Sequence, residues 1–269
     1  MDLAINYSTQ AAELLEQGTI EFERFKTMDW PEMMQAARRH RPIAVHFGLQ
    51  AGNGRVKTLD WDAAARLLDE TGTPHLNLHL EVTSKDYPGI PVDQPPAGDR
   101  ERIIAHMLKD VRRAVKHLGA ERVIIENVPY RGPAEKVFRL AVEPETIQAI
   151  VAESGCGLLL DISHARIAAH HLGLDSREYM QQLPVASLRE LHFTGLHKLN
   201  GRLQDHLSIL DSDWPYLDWV LERIHKGEWP RPWLLAFEYG GTGEKFAERS
   251  DPAVIATQLP VLRQKLKET

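Results

Sequence analysis

The chain has 269 residues, 43% hydrophobic and 26% charged, enough to bury the core of one large α/β domain or two smaller ones. Its formal net charge of −6 lacks the basic surplus of a general nucleic-acid binder. MDLAINYSTQ at the start is no export signal, no apolar run is long enough for a membrane span, and the single Cys156 excludes an intrachain disulfide or a multi-thiolate metal site, so a reducing, cytoplasmic setting is expected.

Short apolar, β-rich runs alternate with segments of helical periodicity, the pattern of successive βα units. In chain order, LAINY (3–7) precedes a helix near 9–17, TIEFERF (19–25) one near 30–39, PIAVHF (42–47) one near 61–70, and LNLHLEV (76–82) one near 99–118. RVIIEN (122–127) precedes 144–154, GLLLDI (157–162) precedes 165–183 with a break at Gly173, LRELHF (188–193) precedes 213–226, and WLLAFEY (233–239) precedes 252–267. Asp99 and Asp213 are expected N-caps, and Gly119 is expected to close the fourth helix. Eight units in this length predict a single (β/α)8 TIM barrel spanning residues 1–269. An open doubly wound sheet is disfavoured because LAINYSTQ carries no dinucleotide-binding glycines.

Three long segments without clear periodicity follow strands, at 84–99, 129–144 and 194–213. In a barrel they fall on the C-terminal face, where active sites are built. The polar residues that end the apolar runs are His46, His79, Glu126, Asp161, His192 and Glu238. Any one alone reads as a hydrogen-bonded rim residue. Six on separate strands, with neighbours about 5 Å apart, predict a metal site at the C-terminal face. Buried carboxylates need pairing or a metal, and an imidazole–carboxylate set suits zinc, iron or manganese.

LLLDISHARIAAHHLG places His164 three residues after Asp161, so both are candidate ligands. His170 and His171 read as surface residues of the following helix. LHFTGLHKLNGRLQDHLSIL adds His197, Asp205 and His206. In an extended segment adjacent side chains diverge, so Gln204 and His206 would share one side and Asp205 the other. His206 is the better ligand candidate, Asp205 a second one, and His197 binds substrate or faces solvent. Glu21 and Glu23 alternate with apolar residues and read as structural. EYGGTGEK (238–245) reads as a flexible loop first and an anion site second.

The ordered set resembles the xylose isomerase-like (β/α)8 superfamily, which includes sugar isomerases and epimerases, type-IV apurinic endonucleases and multinuclear non-heme iron-dependent oxidative enzymes. In its multimetal members, ligands come from the third to eighth strands and the loop after the seventh. The resemblance implies metal ligation by His46, His79, Glu126, Asp161, His164, His192, Asp205, His206 and Glu238, with Glu126 and Glu238 as the catalytic carboxylates. It implies two or three divalent ions, with iron in the oxidative branch and zinc or manganese elsewhere.

Glu126-Asn127 looks like the Glu-Asn pair of the iron branch, whereas Gln204-Asp205-His206 departs from the usual acid-x-His and that branch more often has Asn near the position of His164. The leading expectation is an oxidative enzyme acting on a peptide or small molecule, with a partner protein delivering any peptide. The alternatives are a sugar isomerase or epimerase with one divalent ion, a zinc-dependent phosphodiesterase acting on damaged DNA, and a metal-binding module without catalysis.

Overall fold

Parallel strands are covered on both faces and are therefore written as short, nearly continuous apolar runs. The computed structural model describes residues 1–243, 246 and 249–268. Its strands are β1 (Asp2–Asn6), β2 (Arg24–Met28), β3 (Ile43–His46), β4 (Leu76–His79), β5 (Val123–Glu126), β6 (Gly157–Asp161), β7 (Leu188–Phe193), β8 (Gly195–Leu199), β9 (Arg202–Leu207) and β10 (Leu234–Phe237). The helices are α1 (Thr9–Glu16), α2 (Pro31–Arg38), α3 (Trp61–Thr71), α4 (Ala97–Leu118), α5 (Pro144–Ser154), α6 (Ile162–Leu172), α7 (Ser176–Gln182), α8 (Trp214–His225) and α9 (Pro252–Lys267). Eight parallel strands with helices between them give the (β/α)8 class expected from the sequence.

The chain divides into two units. The first comprises Met1–His46, Thr71–Thr73 and Glu190–Thr269, and the second Phe47–Glu70 and Pro74–Arg189. In the first, parallel pairing runs β3-β2-β1-β10-β7, with Met28 level with His46 and Ala236 level with His192. In the second it runs β6-β5-β4, with His79 level with Glu126.

Local chemistry sets several boundaries. Ser8 caps α1 by accepting from the Ala11 N–H at 3.1 Å, and Pro144 starts α5 where a missing N–H costs nothing. On α4 the buried Ile103, Met107, Val111, Ala114 and Leu118 recur at helical spacing. The same face buries Asp110, which accepts from Gly52 N–H and Gly54 N–H at 2.9 Å each and ties down the loop after β3.

Three expectations need correction. The second strand is 24–28, not 19–25: Ile20 and Phe22 are buried while Glu21 and Glu23 are exposed, which imitates strand alternation. Glu21 and Glu23 instead pair with Arg263 at 3.3 and 2.9 Å, so their structural reading stands. Asp99 lies inside the first turn of α4, whose N-cap is Pro96. Asp213 is the N-cap residue of α8, as expected, although its Oδ2 accepts from the amides of Leu210 and Leu196 at 2.8 and 3.2 Å and makes no cap bond to the helix.

The segment 194–213 is not a loop throughout, because β8 and β9 form an antiparallel hairpin in the first unit. Its turn is Asn200-Gly201, with φ of 51° and 79°, the left-handed pair that a two-residue hairpin turn requires. Gly195 passes so close to β9's continuation that a Cβ there would lie 1.7 Å from the Ser208 carbonyl oxygen. Gly195→Ala is expected to destabilise the protein by about 2 kcal/mol or more, through overpacking against rigid backbone. A thermal midpoint within experimental error of wild type would show that the hairpin tolerates a methyl group here.

Candidate metal centre

In the second unit the site is built where β4, β5 and β6 end. Asp161 closes β6 and is the N-cap of α6, its Oδ1 accepting from the His164 amide at 2.7 Å. The Asp-Ile-Ser-His stretch is thus a helix start, in which the cap bond fixes the acid and the imidazole relative to each other. The His164 ring Nδ1 lies 3.7 Å from Asp161 Oδ2 and 3.5 Å from Glu126 Oε1. Ligand atoms of Glu126, Asp161 and His164 lie within 4.8 Å of one another, and all three side chains are buried.

Asn127, the residue after β5, holds this group together. Its side chain donates to the Asp161 carbonyl and accepts from the Asp161 N–H, both at 2.9 Å, and its own carbonyl accepts from His164 Nδ1 at 3.0 Å. His79, at the end of β4, donates from Nδ1 to the Leu49 carbonyl at 3.0 Å and places Nε2 3.2 Å from Glu126 Oε2.

A carbonyl only accepts, so Nδ1 carries a proton in both rings, and Nε2 is the nitrogen that can accept whenever the ring is neutral. The loops after β4 and β5 pack together in the same unit. Tyr130 donates to Asp93 at 2.7 Å, Arg139 N–H donates to the Val92 carbonyl at 2.8 Å, and Arg100 pairs with Glu143 at 2.5 Å.

The first unit builds its cluster from the middle of β2, the ends of β3, β7 and β10, and the strand β9. Glu190 and His192 are two residues apart on β7 and share a face. Glu190 Oε1 accepts from His192 Nε2 at 2.9 Å, while Oε2 accepts from the Trp233 indole at 2.9 Å. His192 therefore presents Nδ1, which lies 3.1 Å from Glu238 Oε1. The His46 ring centroid is 5.4 Å from that of His192. His206 donates from Nδ1 to the Glu238 carbonyl at 3.2 Å, and the same nitrogen is 3.6 Å from Glu238 Oε2.

His206 adopts φ of 58°, which breaks the strand alternation that would have sent Asp205 to the opposite side. Asp205 is buried, and one of its carboxylate oxygens lies within 4.8 Å of a His206 ring nitrogen. Gln204 pairs with His197 in the hairpin. His197 itself donates from Nε2 to the Ser208 carbonyl at 2.7 Å, so it closes the hairpin.

Sequence reasoning missed Lys26 and Glu190. Lys26 is 4% exposed in the middle of β2, and its ammonium donates to Glu238 Oε1 and to His192 Nδ1, the latter at 3.3 Å. Misplacing β2 hid it, because Lys26 lay beyond the expected strand. Glu190 was legible as the residue two before His192 in Leu-Arg-Glu-Leu-His-Phe. Of the glycine-rich segment 238–245, Glu244 and Lys245 lie outside the described residues.

Burial raises the Glu190 carboxyl, but the His192 hydrogen bond and charge, Lys26 and Trp233 outweigh it and hold the group below the usual range. Burial likewise raises Glu238, and His192, Lys26, His206 and His46 hold it well below. Unfolded Glu titrates near 4.5, so these two carboxylates contribute stability fully above that pH and lose it as pH falls through their lower folded values. Metal-free protein is expected to need less urea to unfold at about pH 3 than at about pH 5, with a shallower dependence in Glu190→Gln. Equal slopes for both proteins would remove Glu190 from this account.

Imidazoles and carboxylates at the C-terminal ends of parallel strands in a (β/α)8 fold form a donor set that could hold divalent ions. The sequence model described as RiPP precursor modification enzyme MbnB/TglH/ChrH matches residues 19–231, and the chain belongs to that family. A UPF0276 protein of Acaryochloris marina is 27% identical over 177 residues, covering 64% of this chain and 60% of its own. A UPF0276 protein of Caulobacter vibrioides is 27% identical over 173 residues, covering 60% and 57%. These matches span about three fifths of the relatives' lengths.

Among solved structures, a D-tagatose 3-epimerase-like protein superposes with a TM-score of 0.61 at 16% identity, covering 99% of this chain and 97% of its own. A xylose isomerase domain protein from Alicyclobacillus acidocaldarius gives 0.59 at 17% identity, covering 98% of each. At such identities the likeness establishes the fold, a xylose isomerase-like barrel. No helix among the described residues is long and apolar enough to cross a membrane.

Proposed function

We propose that the protein is an oxidative enzyme that holds two or three non-heme iron ions and modifies a peptide. The observation that carries the metal reading is the fixed state of four imidazoles. His79, His164 and His206 each direct one ring nitrogen at a backbone carbonyl, and His192 directs one at Glu190. This is how proteins orient metal-ligating histidines, since the second partner sets both tautomer and ring plane. The donor set fits: neutral imidazoles and carboxylates, without a thiolate, suit a borderline divalent ion.

In this reading His79, Glu126, Asp161 and His164 bind through the second unit, and His46, His192, Asp205, His206 and Glu238 through the first. Glu126 and Glu238 are the catalytic carboxylates, in direct contact with the ions. Iron would supply the one-electron and oxygen chemistry that the side chains lack. Membership of a precursor-modification family supports a peptide substrate, and the packed loops after β4 and β5 are candidates for holding it. A partner protein that delivers the peptide, and a cytoplasmic location, complete the proposal.

Metal analysis of protein purified without chelator is the test, with two or three iron atoms per chain expected. His79→Ala and Glu238→Ala are each expected to lose metal. Glu190→Ala, which removes the group orienting His192 together with its bond to the Trp233 indole, is expected to weaken binding by about 10- to 100-fold. Unchanged metal content in the two ligand variants would remove the site. Zinc alone with cleavage of abasic DNA, or one manganese with turnover of a ketose, would overturn the oxidative reading.

A further inference from the structure

We propose that Lys26 is a resident cation of the first-unit cluster: its ammonium holds the place between His192 and Glu238 in the metal-free chain and is displaced when an ion binds there. The proposal rests on the metal reading above. Lys26 reaches the cluster from the middle of β2, with its stem buried. Its Nζ contacts Glu238 Oε1 and His192 Nδ1, two atoms that are themselves 3.1 Å apart and that both accept when the His192 ring is neutral. Such atoms repel unless they share a cation. Because Nε2 of His192 is committed to Glu190 at 2.9 Å, Nδ1 is the nitrogen left for a metal. The lysine thus engages the same two atoms that an ion would take.

An ammonium buried away from water is retained only if paired. Glu238 provides that pairing directly and Glu190 through His192. Replacing Lys26 by an apolar residue would leave two buried carboxylates with less compensation. A divalent ion would then neutralise them, whereas with Lys26 in place it adds charge beside a cation already present. Two consequences follow. The lysine keeps the metal-free cluster folded and in register, and it weakens ion binding because the ion must move a charged group. Lysine suits this role, since its unbranched stem lets the ammonium swing away without moving the strand.

The test compares wild type with Lys26→Met and Lys26→Arg, using zinc as the probe ion in competition with a chromophoric chelator. Thermal midpoints are read with excess chelator and with zinc. For Lys26→Met, the metal-free midpoint is expected to fall by about 5 °C or more and the zinc-loaded midpoint by less than half as much. Zinc binding is expected to tighten about tenfold or more, as linkage between the two states requires. Lys26→Arg, which keeps the charge, should retain the metal-free midpoint without the gain in affinity, and it carries the test if Lys26→Met does not fold.

Equal losses of midpoint in both states with unchanged zinc affinity would make Lys26 an ordinary core ion pair and overturn its role. Tighter zinc binding in Lys26→Arg would do the same. Wild-type protein that takes up no ion overturns the metal reading itself. Wild type that binds ions while Lys26→Met changes neither quantity overturns only the inference about Lys26.

Discussion

A neutral imidazole must give one nitrogen a hydrogen-bond acceptor before the other can serve as a ligand, and this fold meets that condition repeatedly. His79 uses the carbonyl of Leu49, His164 that of Asn127 and His206 that of Glu238, while His192 uses the Glu190 carboxylate. Each acceptor fixes a tautomer as well as a direction, because a group that only accepts forces the proton onto the nitrogen facing it. Direction and the site of the proton are therefore settled together, by the backbone for three of the rings and by the Glu190 side chain for His192.

Parallel strands supply these acceptors for a physical reason. Where a parallel ladder ends, the last carbonyls point onward without a strand partner and must be satisfied by something else. Asn127 and Glu238 are the residues immediately after β5 and β10, and Leu49 lies just beyond β3. An imidazole takes up the carbonyls of Asn127 and Glu238, and the Leu49 carbonyl accepts from the His79 ring as well as from the His79 backbone N–H at 2.9 Å. Asn127 adds a second device: its side chain bonds both backbone groups of Asp161, continuing the β5–β6 pairing one residue past the ladder. The Asp161 cap bond to His164 then begins α6 from that anchored point. The geometry of these candidate ligands follows from how two strands and a helix end.

The ligand candidates were legible in the sequence because their signal is an interruption: a polar residue closing an apolar run, as in Val-Ile-Ile-Glu and Leu-Leu-Leu-Asp. The strands that carry them were placed to within a few residues. β2 was not, since Ile20 and Phe22 mimic alternation whereas Arg-Phe-Lys-Thr-Met, buried over its three central positions, carries no period. Lys26 was lost with it. The β8–β9 hairpin was legible in Asn-Gly, a strong short-range turn signal. The left-handed φ of His206 was not, because nothing in Gln-Asp-His announces it. Tautomers were also beyond the sequence, as they depend on acceptors distant in the chain.

The chain's one thiol bears on which ion the donor set favours. Cys156 sits immediately before β6, at the opposite end of that strand from Asp161, which at strand geometry is about 15 Å away. Burial pushes its thiol up from the ordinary range, which disfavours the thiolate that binds metals, so it is a poor ligand as well as a distant one. The second-unit cluster accordingly offers only nitrogen and oxygen. Soft thiolate-seeking ions lose their preferred donor there, and small hard ions that prefer all-oxygen shells meet imidazole instead. What remains is the borderline group that includes iron, manganese and zinc, and within it choice falls to ligand count and charge. In the first unit charge is set by the balance of Glu190 and Glu238 against Lys26. On the proposed metal reading, a residue that is not itself a candidate ligand would then influence how strongly the cluster holds an ion.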